Sequence, residues 1–295
     1  MTSSCRPLLL GLAFVVTLSG CALETGSRAA TASPSGIPGS VREREAPPLV
    51  SLRGNKRNAI AWAPVADPDD VTVEGSVPSS RAWSTSKVLV IAAYLDTVVD
   101  GDPAKIPAVA RKSIRAALTQ SDEPSINSIR RQIPNSSSAM TRILRAIGDT
   151  TTTVPAAYEG TMQWHVREQV RFMAALANGG VVTPQASAFL LREMQPIAAQ
   201  RWGLGTIGAS AFKPGWMNVQ TESRQVGIVG DFAVAIITAG ADPAAPVSDG
   251  DFAHARQLDR LAQLLARRLN ESRCFRSDLF GKSTRWCLLG LARHL

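Results

Sequence analysis

Histidine and cysteine are scarce in this chain, with three of the first and four of the second in 295 residues. His165, His254 and His294 lie far apart, and the cysteine spacing matches no zinc pattern. Each histidine is therefore read as structural or exposed, and no metal or other cofactor is expected. Aromatic residues make up only 5% of the chain. The net charge of +8 comes mainly from scattered arginines with no basic–aromatic motif among them, which argues against a nucleic-acid partner. Beyond the first residues no segment has the ~18 uncharged apolar residues of a membrane span. The run after Lys87 is broken by Tyr94 and Asp96. No internal repeat is found. What remains, 45% apolar and 19% charged, is the composition of a globular domain.

The N-terminus carries its own signal. Arg6 precedes PLLLGLAFVVTLSGC, a positive charge, an apolar run and small residues ahead of Cys21. LSGC resembles a bacterial lipobox, which implies a lipoprotein signal peptide over 1–20 and lipid on the thiol of Cys21. An ordinary export signal with an incidental cysteine is the alternative. Serine, proline and glycine dominate the following stretch, so 21–50 is read as a flexible tether. The expected location is the extracytoplasmic face of the cell membrane. An oxidising compartment favours a disulfide between Cys274 and Cys287 in a C-terminal extension, 271–295, with two free thiols as the alternative.

Between tether and tail, 51–270 reads as one domain. NAIAWAPV and VTVEGSV flank ADPDD, a turn sequence, and predict a hairpin. From Ser84 to about Val99 the chain is apolar nearly all round, the pattern of a helix buried on every side. Further helices are expected over 107–119, 124–132, 138–147, 162–178 and 184–195. SAFKPGWMNV, SRQVGIVG and FAVAIITAG then read as strands, and 250–270 as a last helix with Phe252, Leu258, Leu261, Leu265 and Leu269 on one face. The order predicts an α+β fold. An antiparallel sheet of about five strands is drawn from both chain ends, with a helical lobe inserted between them.

Two S-x-x-K matches occur, Ser84–Lys87 and Ser210–Lys213. Ser210 precedes a strand, where positions three apart face opposite ways. Ser84 opens a helix, where it and Lys87 share a face. A helix N-terminus offers free N–H groups, serine needs a base, and a lysine in a dry cleft can supply one. The alternative is a capping serine beside a snorkelling lysine.

Ser84–Lys87, then Ser121-Asp122-Glu123, then Lys213-Pro214-Gly215 resembles the penicillin-recognising serine hydrolases, in particular the class A β-lactamase-like branch. RAWSTSKV, TMQWHVREQVRF, QRWGLG and FKPGW also resemble secreted actinobacterial relatives, and the resemblance covers roughly 55–270. It implies Ser84 as acylated nucleophile, Lys87 as its base and Ser121 as proton relay to the leaving nitrogen. Lys213 would add a positive field and help hold a substrate carboxylate. The N–H groups of Ser84 and Trp216 would form the oxyanion hole. Glu123, Gly215 and Arg224 would contact substrate, with Arg224 either gripping a carboxylate or standing solvated on its strand.

Three departures qualify the resemblance. Glu123 stands where the family usually has an asparagine and offers only acceptors and a negative charge. Pro214 replaces a residue with a hydroxyl and an N–H, and is at home only on an edge strand or bulge. The loop that carries the family's deacylating glutamate is missing; VPAAYEG holds only Glu159, read as an exposed loop residue rather than a substitute base. The expectation is a monomeric lipoprotein acting by acyl transfer on D-Ala-D-Ala-type peptides or β-lactams, slow in deacylation. The alternative is an inactive relative that binds a cell-wall component or a partner protein.

Overall fold

A computed structural model describes residues 48–77, 80–216, 222–239 and 253–279, with side chains in the last segment described to 273. The segment read as a signal sequence, Cys21, most of the stretch read as a tether, Phe252, His294 and Cys287 lie outside the described residues, as does the side chain of Cys274.

The strands are β1 (Asn58–Pro64), β2 (Thr72–Ser76), β3 (Ala211–Trp216), β4 (Ser223–Val229) and β5 (Phe232–Thr238). They form one antiparallel sheet in the order β2-β1-β5-β4-β3. β1 pairs with β5 from Asn58↔Thr238 to Pro64↔Phe232, which joins the two ends of the domain. Between them lie α1 (Ser86–Thr97), α2 (Ala108–Thr119), α3 (Glu123–Arg131), α4 (Ser136–Ala146), α5 (Val166–Ala177) and α6 (Pro184–Glu193). α7 (Ala253–Leu279) follows the sheet. This is the α+β architecture expected from the sequence.

The two faces of the sheet differ by residue size, and the period of two along each strand sorts them. Ala61, Ala63, Ala233 and Ala235 turn to the helical lobe, where α5 packs, and their short side chains let a helix approach closely. Ile60, Trp62, Val234 and Ile236 turn to the other face, under Leu258, Leu261, Leu265 and Leu269 of α7. α1 is buried from Ser86 to Leu95 and is surrounded by α2, α3, α4 and α6. At about 1.5–3 kcal/mol per large apolar side chain removed from water, α1 is the anchor of the lobe.

Three expected boundaries shift. Ser84 does not begin the helix: it lies in a 3-10 turn, Trp83–Thr85, that leads into α1. The helix expected from 162 begins at Val166, because 162–164 are used otherwise. Trp164 N donates to Ser80 O and Ala82 N to Met162 O, both at 2.8 Å, pinning this segment to the approach to Ser84. α7 runs on to Leu279, past the expected end at 270, since neither glycine nor proline interrupts it.

Candidate active site

β3 is an edge strand, and its open edge faces the turn that carries Ser84. Phe212 N leaves the sheet to donate to Met194 O at 3.0 Å. Backbone groups alternate between edges along a strand, so the amide positions of Pro214 and Trp216 point off that same open edge. Pro214 therefore sits where a missing N–H breaks no ladder bond, the edge placement its sequence demanded. The N–H of Trp216 is directed toward the Ser84 turn. The Trp216 ring packs edge-on to Trp202 at 5.6 Å and stacks on His254 at 6.2 Å, which fixes the end of the strand. Gly215 makes the close approach possible, as a β-carbon there would stand 3.0 Å from both Ser84 N and Thr85 N.

On the turn itself, Thr85 Oγ1 donates to Ala82 O, and Ser86 Oγ to Trp83 O at 2.7 Å. These flanking hydroxyls hold the turn. Ser84 makes no capping bond; instead Lys87 Nζ donates to Ser84 Oγ at 2.8 Å. Lys87 is 3% exposed, so it is no snorkelling surface amine. Trp83, the residue before Ser84, has φ +46°, and Ser121 has φ +61°. Both are left-handed conformations that cost on the order of 1 kcal/mol for residues with a β-carbon. Ser121 is one of the positions singled out from the sequence, and Trp83 immediately precedes another, Ser84.

The second motif opens α3. Asp122 is its N-cap, accepting from Ser125 N at 2.9 Å; the side-chain hydrogen bond of Ser125 first, and then this backbone bond, hold its carboxyl below the usual aspartate range. Glu123 follows in the first helical position. Its Oε2 accepts from Lys87 Nζ at 2.7 Å, while its side chain remains 62% exposed. Glu123 is thus neither a freely solvated loop residue nor a mimic of an amide donor: it is a carboxylate on the S-x-x-K lysine. Ser121 Oγ accepts from Lys213 Nζ, which also donates to Pro214 O at 2.9 Å. Lys213 is fully buried, and that burial first, then the charge of Lys87, drives its amine well below the usual lysine range, against an opposing pull from Glu123. The structure thus joins Ser84, Lys87 and Glu123 in one hydrogen-bonded line. It joins Ser121 to Lys213 in another, and sets Gly215 against Ser84.

Glu159 departs from its sequence reading, and Arg224 from one of its two. Arg224 is 1% exposed and therefore not solvated, and the carboxylate on it belongs to Glu222 of the same chain, at 2.9 Å. Burial lowers its pKa to about 10, with Glu222 opposing. A signal was available, since Glu222 and Arg224 are two apart along extended chain and so share a face. Glu159 is buried, not an exposed loop residue. It pairs with Arg130 Nη1 at 3.2 Å, in a turn whose next residue, Gly160, lies against the backbone of Trp83. A polar cavity lies between the end of α3 and the start of α4, lined by Arg130, Arg131 and Ser136, and a smaller one lies beside β2; Ser84 lines neither. Among the described residues no cluster of His, Cys, Asp or Glu could hold a metal ion, and no helix is long and apolar enough to cross a membrane.

No protein-family model matches this sequence, and no curated protein sequence matches it. Solved structures do. A mutant of the chromosome-encoded β-lactamase of Vibrio parahaemolyticus is 16% identical with a TM-score of 0.55, over 71% of this chain and 92% of that one. PBP-A is 17% identical at 0.55, over 76% and 93%. A β-lactamase from Streptosporangium roseum is 15% identical at 0.55, over 71% and 92%. A variant of PBP-A was solved as an acyl-enzyme complex with penicillin G. The likeness establishes the fold: the chain has the α+β architecture of the β-lactamases and of PBP-A.

Proposed function

We propose that this chain is a cell-envelope lipoprotein whose β-lactamase-like domain transfers acyl groups through Ser84. The observation that carries the reading is the 2.8 Å contact of Lys87 Nζ with Ser84 Oγ, on a turn against which Gly215 brings an open strand edge. In the proposed step Ser84 Oγ bonds to the carbonyl carbon of a D-Ala-D-Ala-type peptide or β-lactam, and the C–N bond breaks. Lys87, reacting as the neutral amine, takes the Ser84 proton. Ser121, through Lys213, delivers a proton to the departing nitrogen. The N–H groups of Ser84 and Trp216 receive the oxyanion. Release from Ser84 is slow on this reading, because Glu159 is engaged by Arg130 rather than poised on water.

Anchoring through lipid on Cys21, with 21–50 as tether, belongs to the same proposal. Labelling with a palmitate analogue tests it: wild type is labelled and Cys21→Ala is not. Acyl transfer is tested with a fluorescent penicillin and intact mass. A stable adduct lost in Ser84→Ala supports it; no adduct at millimolar probe overturns it. One observation favours the second reading, a non-catalytic binder of a wall component or partner: Glu123 Oε2 already engages Lys87 Nζ at 2.7 Å.

A further inference from the structure

Glu123 puts a carboxylate where the neighbouring contacts leave an unusual demand on the ligand. One oxygen, Oε2, is held by Lys87 Nζ at 2.7 Å, and Lys87 in turn holds Ser84 Oγ at 2.8 Å. The carboxylate is therefore two hydrogen-bond lengths from the nucleophile, and it is 62% exposed, so a ligand can reach it. A carboxylate has acceptors and no donor. A ligand oxygen at this point meets repulsion; an N–H or ammonium group meets an acceptor. The surrounding charges agree. Asp122 flanks Glu123 and is held ionised by its Ser125 contacts, whereas Lys213 is a fully buried amine close enough to feel both Lys87 and Glu123. The exposed group is thus the Glu123 carboxylate, while the second amine, Lys213, is fully buried on Ser121 and Pro214.

From this geometry we infer that the site selects acyl donors carrying a free ammonium group within a few bonds of the carbonyl that Ser84 attacks. The inference rests on the acyl-transfer reading and names its substrate class. Glu123 acts as the specificity residue: its Oε1 accepts from the ligand ammonium while Oε2 keeps Lys87. An ion pair at a largely exposed carboxylate is worth little more than a surface pair, so the discrimination expected is about three- to fivefold. It weakens as salt is raised.

Ampicillin and penicillin G are a matched pair for the test, because they differ only by an amino group on the carbon next to the side-chain carbonyl. Acylation rates for both are measured by intact mass on wild type and Glu123→Gln. Faster labelling by ampicillin in wild type, with the ratio falling to about one in Glu123→Gln, supports the inference. The ratio within one variant cancels any general effect of the substitution on Lys87. Equal rates in wild type, or a ratio unchanged in Glu123→Gln, overturn it. No adduct with either drug sinks acyl transfer instead. The amine preference is then read from non-covalent binding to Ser84→Ala by calorimetry, where equal affinity for the two drugs overturns the inference and tighter binding of ampicillin upholds it.

Discussion

Gly215 stands with its α-carbon against the backbone of Ser84, and the closeness of the two sets the geometry of the site. A β-carbon at 215 would lie 3.0 Å from Ser84 N and Thr85 N and 3.2 Å from Ala82 O. All three are backbone atoms of a turn held on both sides, so they cannot swing away as a side-chain tip could. Gly215→Ala is expected to push β3 off the turn, with overpacking of about 1–3 kcal/mol. The predicted outcome is a folded protein, by circular dichroism, with a lowered Tm and penicillin labelling reduced at least tenfold. Labelling at the wild-type rate would show that the strand edge plays no part in positioning the acyl group.

Lys213 presents a trade between stability and chemistry. Its amine is fully buried and is held well below the lysine range chiefly by that burial. In the unfolded chain it is protonated up to its ordinary value of 10.5. Between its folded value and 10.5 the folded state binds fewer protons, so stability rises with pH through that window. The cost is complete below the folded value. Lys213→Met removes it and is expected to stabilise the protein by about 1–3 kcal/mol at pH 7. The gain should shrink as pH approaches 10.5, as read from urea midpoints at several pH values. The same variant loses the contact to Ser121, and penicillin labelling should fall by about 100-fold or more. A Met variant less stable than wild type at pH 7 would mean that Lys213 is held as a paired cation.

Glu159 and Arg130 form a buried pair, their side chains 5% and 11% exposed. Removing one partner of such a pair strands the other charge, so Glu159→Gln is expected to cost about 3 kcal/mol in urea unfolding. If Glu159 is structural, the lifetime of the penicillin adduct is unchanged in the variant. An adduct that persists at least tenfold longer in Glu159→Gln would instead identify Glu159 as the group that activates water.

Much of this was legible because local pattern and burial agree. The alternation of Ala61 and Ala63 with Ile60 and Trp62 marks a strand covered on both faces, and the all-round apolar run of α1 marks a helix with no solvent side. Ser84 and Lys87 were legible because three residues bring them to one face. The contact of Lys87 with Glu123 was not, since 36 residues separate them and only the packing of α3 on α1 unites them. Glu159 read as exposed because its sequence is loop-like; it is buried because 162–164 pair with 80–82 and draw the preceding turn inward. Nothing in the local sequence carries that pairing.

The far edge of the sheet supplies a pH dependence with a definite sign. Glu74 on β2 accepts from Arg268 Nε of α7 at 2.7 Å and from Leu52 N at 2.7 Å, clamping the last helix to the hairpin. The Arg268 hydrogen bond holds the carboxyl below its ordinary value of 4.5, against opposing burial. A depressed carboxyl contributes stability that is complete above 4.5 and is lost as pH falls through the lower folded value. Glu74→Gln should therefore destabilise the protein by about 1–2 kcal/mol at pH 7. The gap between variant and wild type should narrow as pH falls below 4.5 toward the lower folded value. Urea midpoints at pH 7, 5 and 3 read this directly. A gap that stays constant down to pH 3 would assign the contribution of Glu74 to packing of its stem against Leu52 rather than to its charge.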